Sequence, residues 1–272
     1  MMTAKHRIGT YTMLPFSRSR RNIELVLREG ALAHDVDALI EVDVTDARAR
    51  IRRYEAETGD KISFTGWIIK CVAEAVNRHK SLNVYRHGWR RRVRFDDVDV
   101  PIPIERETDG EQRPMPYILR KAQEKDVFEI TEEIRQVQAE LVDDSTQLLG
   151  GDLTRLERFA ITAPGIIQRL LLWILRRNAF LKKKHMGTVG VTSIGMFGKF
   201  PGWAIPISIP AVLIVVGGVT KKPGVVGDSI EIREYLHLTI TVDHDLIDGG
   251  PLARFVASLT ELTENAFGLP PV

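Results

Sequence analysis

His244 and Asp248 stand four residues apart in Thr241-Val-Asp-His-Asp-Leu-Ile-Asp-Gly249, and Gly250 follows. An imidazole, with an ordinary pKa of about 6.5, is the side chain best suited to removing a proton near neutrality. The His-x-x-x-Asp-Gly spacing lets a tight turn fold the carboxylate back beneath the ring, with glycine supplying backbone freedom. Taken alone, the pattern also fits a surface histidine ahead of an Asp-Gly turn.

The residues before it form the element that must hold the ring in place. Ser229 to Asp243 is predicted as a long strand in which Leu236, Leu238, Ile240 and Val242 share one face. Ala211-Val-Leu-Ile-Val-Val216 is a continuous apolar strand covered on both sides, and Pro223-Gly224 and Gly227-Asp228 place turns between the two. Thr188-Val-Gly-Val-Thr192 is a shorter strand running toward Gly195 and Gly198. Leu252 to Phe267 closes the chain as an amphipathic helix.

The first half alternates helices with strands. Residues 17–30 read as a basic amphipathic helix stopping at Gly30, and Leu39 to Val44 as a half-buried strand. Thr45 is expected to cap a charged helix ending at Gly59; Ser63 to His79 is a buried helix. Val84 to Val100 is predicted as a hairpin turning at Arg86-His-Gly-Trp89, with Val98 to Ile104 leaving it. Asp126 to Leu141 is a further amphipathic helix. Arg90 to Arg94 could grip a phosphate or form a solvated strand face. Ile166 to Arg177, strongly apolar with basic punctuation and followed by three lysines, fits a packing face or a membrane-surface helix, and packing is the commoner use.

The 272 residues are 44% hydrophobic and 27% charged, with a net charge of +2, so no broad basic footprint for nucleic acid exists. Cys71 is the single cysteine, which excludes an internal disulfide and any multi-cysteine metal site; no metal is expected. Its apolar helical setting predicts an inert thiol. No secretory signal is visible in the first residues, no run is long enough to span a bilayer, and a cytoplasmic location is expected. With no internal repeat, low-complexity tract or dividing linker, residues 1–272 are read as one domain.

Leu238 to Gly249 resembles the Asp-His-Arg-x-x-Asp-Gly signature of the acyltransferase components of 2-oxoacid dehydrogenase complexes; chloramphenicol acetyltransferase shares the His-x-x-x-Asp-Gly part. Gly187-Thr-Val-Gly-Val-Thr-Ser-Ile-Gly-Met-Phe-Gly198 is similar to the family's second signature, in which a hydroxyl serves the tetrahedral intermediate. Aligned on Gly195, that hydroxyl falls on Thr192, with Ser193 beside it. Leu39 to Thr45, Phe64 to Asn83 and Ala204 to Gly218 also resemble family segments, so the likeness covers most of residues 16–265.

The resemblance implies an α/β fold of the chloramphenicol acetyltransferase-like type, a two-layer mixed sheet with flanking helices, assembled as a homotrimer. It implies active sites at subunit interfaces, reached by coenzyme A from one side and the acyl carrier from the other. His244 would be the general base, Thr192 would hydrogen-bond the oxyanion, and Asp248 would order the turn, pairing with a cation such as Arg18 or Arg20. Three departures accompany it. Asp245 stands where the dehydrogenase acyltransferases usually have Arg. The sequence as given holds no lipoyl domain, so no covalent lipoyl group is expected on this chain, and a lipoyl domain or dehydrogenase subunits would act in trans. The stretch of about 141–186 is enlarged. The acyl group, the acceptor and the residues that hold coenzyme A are not set by these motifs. The alternative function is a non-catalytic scaffold or partner-binding subunit of such a complex.

Overall fold

The computed structural model describes residues 2–6, 9–108, 111–139, 163, 165–195 and 201–271. The first part of the enlarged segment, 140–162, and Met196-Phe197-Gly198 of the second signature lie outside the described residues.

The centre is a four-stranded mixed sheet in the order β3 (Asp35–Asp43), β10 (Ser229–Asp243), β9 (Val212–Val226), β8 (Val189–Ser193). The first two junctions are antiparallel and β8 runs parallel to β9. On β10 the predicted alternation holds: Leu236, Leu238, Ile240 and Val242 are all fully buried. They face α3 (Phe64–Arg78) and α7 (Gly249–Glu264), whose Trp67, Ile68, Ile69, Phe255 and Leu259 complete the core. Burying side chains of this size stabilises by about 1.5–3 kcal/mol each. Trp67 also keeps its indole N–H satisfied, donating to the Phe267 carbonyl at 2.9 Å.

Helix starts follow local chemistry. Ser17 and Ser63 accept the N–H groups of Arg20 and Gly66 and cap α1 (Arg18–Gly30) and α3. Thr45 is the first residue of α2 (Thr45–Thr58), so the expected threonine cap is replaced: the Asp43 carboxylate accepts both the N–H and the hydroxyl of Thr45. Gly59 ends α2 in the left-handed conformation, with φ of 79°. The amphipathic helix at 126–141 is α4 (Val127–Ala139).

Three strand expectations change. The hairpin of β4 (Val84–His87) and β5 (Arg91–Arg94) turns at Gly88, inside the expected stretch and with φ of 63°, but it ends at Arg94 and not at Val100. Beyond it β6 (Val100–Thr108) and β7 (Glu111–Leu119) form a second hairpin, where a lone exit segment was expected. Its prolines 101, 103, 114 and 116 fall at every second residue, with Pro103 opposite Pro116, so all share the phase in which the backbone nitrogen faces away from the partner strand. Pro223-Gly224, expected as a turn, lies inside β9, and Gly227-Asp228 alone turns the ribbon. Among the described residues, the N-terminal strands β1 (Met2–His6) and β2 (Gly9–Met13) pair only with each other.

Between Leu236 and Leu238 the β9–β10 register slips, with Gly217 and Gly218 opposing His237 alone. The buried His237 ring donates to the Gly218 carbonyl at 2.8 Å and meets Glu41 at 3.0 Å. Trp203 packs edge-on against it and donates to the Ile40 carbonyl, closing the second face of the sheet. Helix α5 (Gly165–Arg177) covers less: none of its residues is buried, and Ile166, Leu170 and Trp173 are exposed. A short α6 (Ala179–Met186) follows, capped by Asn178.

Candidate active site

The end of β10 is fixed by the backbone before any side chain acts. Asp243 donates its N–H to the Ala211 carbonyl and His244 donates to the His34 carbonyl, both at 2.9 Å. The Asp243 carbonyl then accepts from Leu246 and Ile247 at 3.0 Å, and its carboxylate accepts from Asp245 N–H at 3.0 Å. Leu246 and Ile247 are buried and anchor the turn, while the His244 side chain faces outward. Arg92 donates to the Leu246 carbonyl at 3.1 Å. One member of the basic run therefore grips this turn and no phosphate is needed to explain it. Asp245 lies 3.0 Å from His34 Nδ1 and 3.4 Å from Arg86.

Asp248 is exposed at the N-cap position of α7, and its carboxylate caps no helical N–H. Its carbonyl accepts from Leu252 at 3.2 Å. Among the described residues no ion pair joins Asp248 to His244 or to Arg20; the Arg18 side chain lies outside them. Asp243, next to His244 in sequence, ties the turn through its carboxylate.

Thr192 lies on β8 opposite Val215 of β9, and Val215 lies opposite Thr239 of β10. His244 is five residues further along β10 and two strands away. At about 3.3 Å per residue and 4.8 Å per strand, the two are about 19 Å apart within one chain. A single chain does not bring them together. Ser193 is on the opposite face of β8 from Thr192: it is buried and lines a cavity of about 620 Å³ with Arg48, Arg52, Ser63 and Gly195. Gly195 is there because space demands it. A Cβ at that position would lie 2.3 Å from the Gly217 carbonyl oxygen.

Sequence reasoning did not find the charges under the histidine turn. A cavity of about 130 Å³ is bounded by Tyr85, Arg86, Lys182, Ser208, Asp243 and Asp245. Burial raises the carboxyl groups of Asp35 and Asp243 above the ordinary range, and burial lowers the Lys182 ammonium to about 8. Asp35 and Asp243 are 208 positions apart in sequence, so only the pairing of β3 with β10 exposes the relationship.

A model of the family described as 2-oxoacid dehydrogenases acyltransferase (catalytic domain) matches residues 9–167 and 175–269. The chain belongs to this family. Among its relatives, the dihydrolipoyllysine-residue acetyltransferase component of the pyruvate dehydrogenase complex from Staphylococcus epidermidis is 24% identical over 249 residues, covering 86% of this chain and 46% of that protein. The Corynebacterium glutamicum component is 32% identical over 96 residues, 33% of this chain and 14% of its own. The chain thus spans less than half the length of these relatives. A probable dihydrolipoamide acetyltransferase from Listeria monocytogenes superposes with a TM-score of 0.67 at 19% identity, covering 94% of this chain and 96% of that one. The Azotobacter vinelandii dihydrolipoamide acetyltransferase, studied for the role of a serine, a histidine and an asparagine in its catalytic mechanism, superposes equally at 16% identity over 94% and 93% of the chains. Chloramphenicol acetyltransferase gives 0.51 at 16% identity over 96% and 100%. The acyltransferase family's fold, a mixed α/β sheet with flanking helices, is therefore that of this chain.

Proposed function

We propose that this chain is an acyltransferase that moves an acyl group between coenzyme A and a thiol of the dihydrolipoyl type, or another small acceptor. His244 takes the proton from the acceptor thiol, and the sulfur attacks the thioester carbon. Thr192 donates a hydrogen bond to the oxyanion that forms. The intermediate collapses, the coenzyme A thiolate leaves, and the proton on His244 returns to it. Asp248, at the head of α7, steadies the exit of the turn.

The observation that carries this reading is the outward-facing imidazole of His244, set at the end of β10 by two backbone hydrogen bonds at 2.9 Å on consecutive residues. The Azotobacter protein supports it: a serine, a histidine and an asparagine are at issue in its mechanism, and Thr192 and His244 offer the same hydroxyl and imidazole here, with the carboxylate of Asp248 in place of the amide. The separation of about 19 Å within one chain supports a site shared between adjacent copies of a homotrimer, with a lipoyl domain supplied by another chain.

Assay with dihydrolipoamide and acetyl-, propionyl- or succinyl-coenzyme A tests the chemistry, and mixing inactive variants tests the sharing. Co-refolded His244→Ala and Thr192→Val chains should recover activity that neither has alone, because some interfaces then hold an intact pair. No transfer by the wild type from any of these thioesters would end the catalytic reading. Asp245, an anion beside the imidazole, favours a second reading as a partner-binding scaffold. Co-purification with dehydrogenase subunits and no turnover would establish that one.

A further inference from the structure

The last residue of β10 and the first of β3 are both aspartates, and they face each other across the ladder as Asp243 and Asp35. Like charges directly opposite in an antiparallel pair repel. Both are nevertheless in structural use. Asp243 caps the Asp245 N–H immediately after His244, and Asp35 accepts from Ser208 N–H at 3.4 Å while its other oxygen is buried without a hydrogen-bond partner among the described residues. A pair of this kind needs a cation.

The cavity beneath the turn brings four cations near it. Three are engaged elsewhere. Arg176 donates to the Leu32 carbonyl, Arg177 stacks over Trp89 at 3.3 Å, and Arg86 pairs with Asp245. Lys182, reaching in from α6 with its ammonium 4.5 Å from the centre of the Tyr85 ring, makes no direct ion pair with either acid among the described residues, but it shares the cavity wall with Asp243 and its charge acts on both Asp35 and Asp243. Glu29 of α1 and Asp245 are the other acids on the cavity wall.

We propose that Lys182 is a positioning residue for His244: its ammonium neutralises the Asp35–Asp243 pair and thereby holds the turn that presents the imidazole. This rests on the acyl-transfer reading above. Burial is the largest influence on Lys182 and lowers it to about 8; Asp243 and Asp35 oppose that fall and Arg176 adds to it. The support is therefore present when Lys182 is charged and is withdrawn as the pH rises above about 8. With the ammonium gone, Asp243 is left opposite Asp35 without its counter-ion and releases the Asp245 N–H.

The test is a set of pH–rate profiles on the full chain for wild type, Lys182→Arg, Lys182→Met and Lys182→Met with Asp35→Asn. Wild-type kcat should fall above pH about 8, and Lys182→Arg, which keeps its charge, should not show that fall. Lys182→Met should lower kcat on the order of 10- to 100-fold at neutral pH, as misplacement of a reacting group does, with KM held within about twofold. Asp35→Asn in the same chain should restore most of the loss. If Lys182→Met does not fold, the arginine and double variants carry the comparison. Full kcat in Lys182→Met, or identical alkaline limbs in wild type and Lys182→Arg, would overturn the proposal. An inactive wild type would instead strike the acyl-transfer reading. The Asp245 amide resonance then decides alone: a midpoint near 8 in wild type, absent in Lys182→Arg, is the expected result, and no such midpoint is the refuting one.

Discussion

His34 holds the histidine turn twice: its carbonyl accepts the His244 N–H at 2.9 Å, and its own ring meets the Asp245 carboxylate at 3.0 Å. The two contacts differ in strength. The backbone bond is independent of side chains, whereas the His34 ring is 79% exposed and its contact with the carboxylate is open to water. His34→Ala should therefore cost less than about 1 kcal/mol and leave acyl transfer nearly intact. Chemical unfolding and a rate assay check it, and a large loss of turnover would show that the side chain matters beyond the pair.

Thr192 and Ser193 are adjacent hydroxyls on opposite faces of one strand, and substitution should separate them. Thr192→Val is expected to reduce kcat by about 10²–10³ with little change in KM, the usual cost of one oxyanion donor. Ser193→Ala, altering the wall of the 620 Å³ cavity, should keep most of its kcat. Steady-state kinetics distinguishes the two, and the reverse ranking would move the oxyanion role to Ser193.

Gly195→Ala should destabilise the end of β8. The added carbon would sit 2.3 Å from a backbone oxygen, that of Gly217, which cannot rotate away as a side chain could. Overpacking of this kind costs about 1–3 kcal/mol, read as a lower midpoint in urea unfolding. An unchanged midpoint would mean that the strands part freely there.

Asp43→Asn removes the carboxylate that caps α2 and pairs with Arg233 Nε at 2.6 Å. Burial pulls the Asp43 carboxyl upward, but hydrogen bonds from Thr45 and Arg233 outweigh it and the net direction is down. A depressed carboxyl contributes stability above its unfolded value, 3.8, that is lost as the pH falls below it. The substitution should cost about 1.5–3 kcal/mol near neutrality and much less once the wild-type group is protonated. Urea unfolding at neutral pH and below pH 3.8 compares the two conditions.

Cys71 is fully buried in α3 and burial pushes its thiol upward. A thiol reagent should leave the folded chain unlabelled and react once denaturant is added. Rapid labelling under native conditions would show that α3 opens.

Much of this was legible in the sequence because it depends on period and on single strong residues. The two-residue alternation from Leu236 to Val242 gave both the strand and its buried face, and it placed His244 at the strand's end. Gly59 stopped α2 where expected. What escaped depends on partners far along the chain. Thr45 looked like a cap because its type fits, yet Asp43 takes that place through a hydrogen bond that Arg233, 190 positions away, helps to orient. The hairpin of β6 with β7 was missed because a sequence does not reveal which side of a ribbon each proline nitrogen faces. The clamp on His244, formed by His34, Arg86, Arg92 and Asp245, joins three separate segments and had no local signature.

The Gly217-Gly218 doublet divides β9 into two independently phased halves. Upstream, Val212, Ile214 and Val216 share a face with Val242, Ile240 and Leu238; downstream it is Val219 that returns to that face opposite Leu236. Dropping one glycine would remove the bulge and the extra bend and twist it gives the ribbon, yet Val219 would keep its place opposite Leu236, and the paired rows from Val212 to Val216 would keep their alignment. The molecule can thus remodel its far ribbon, whose tip carries the exposed Val225 and Ile230, without disturbing the end of the sheet where His244 is mounted.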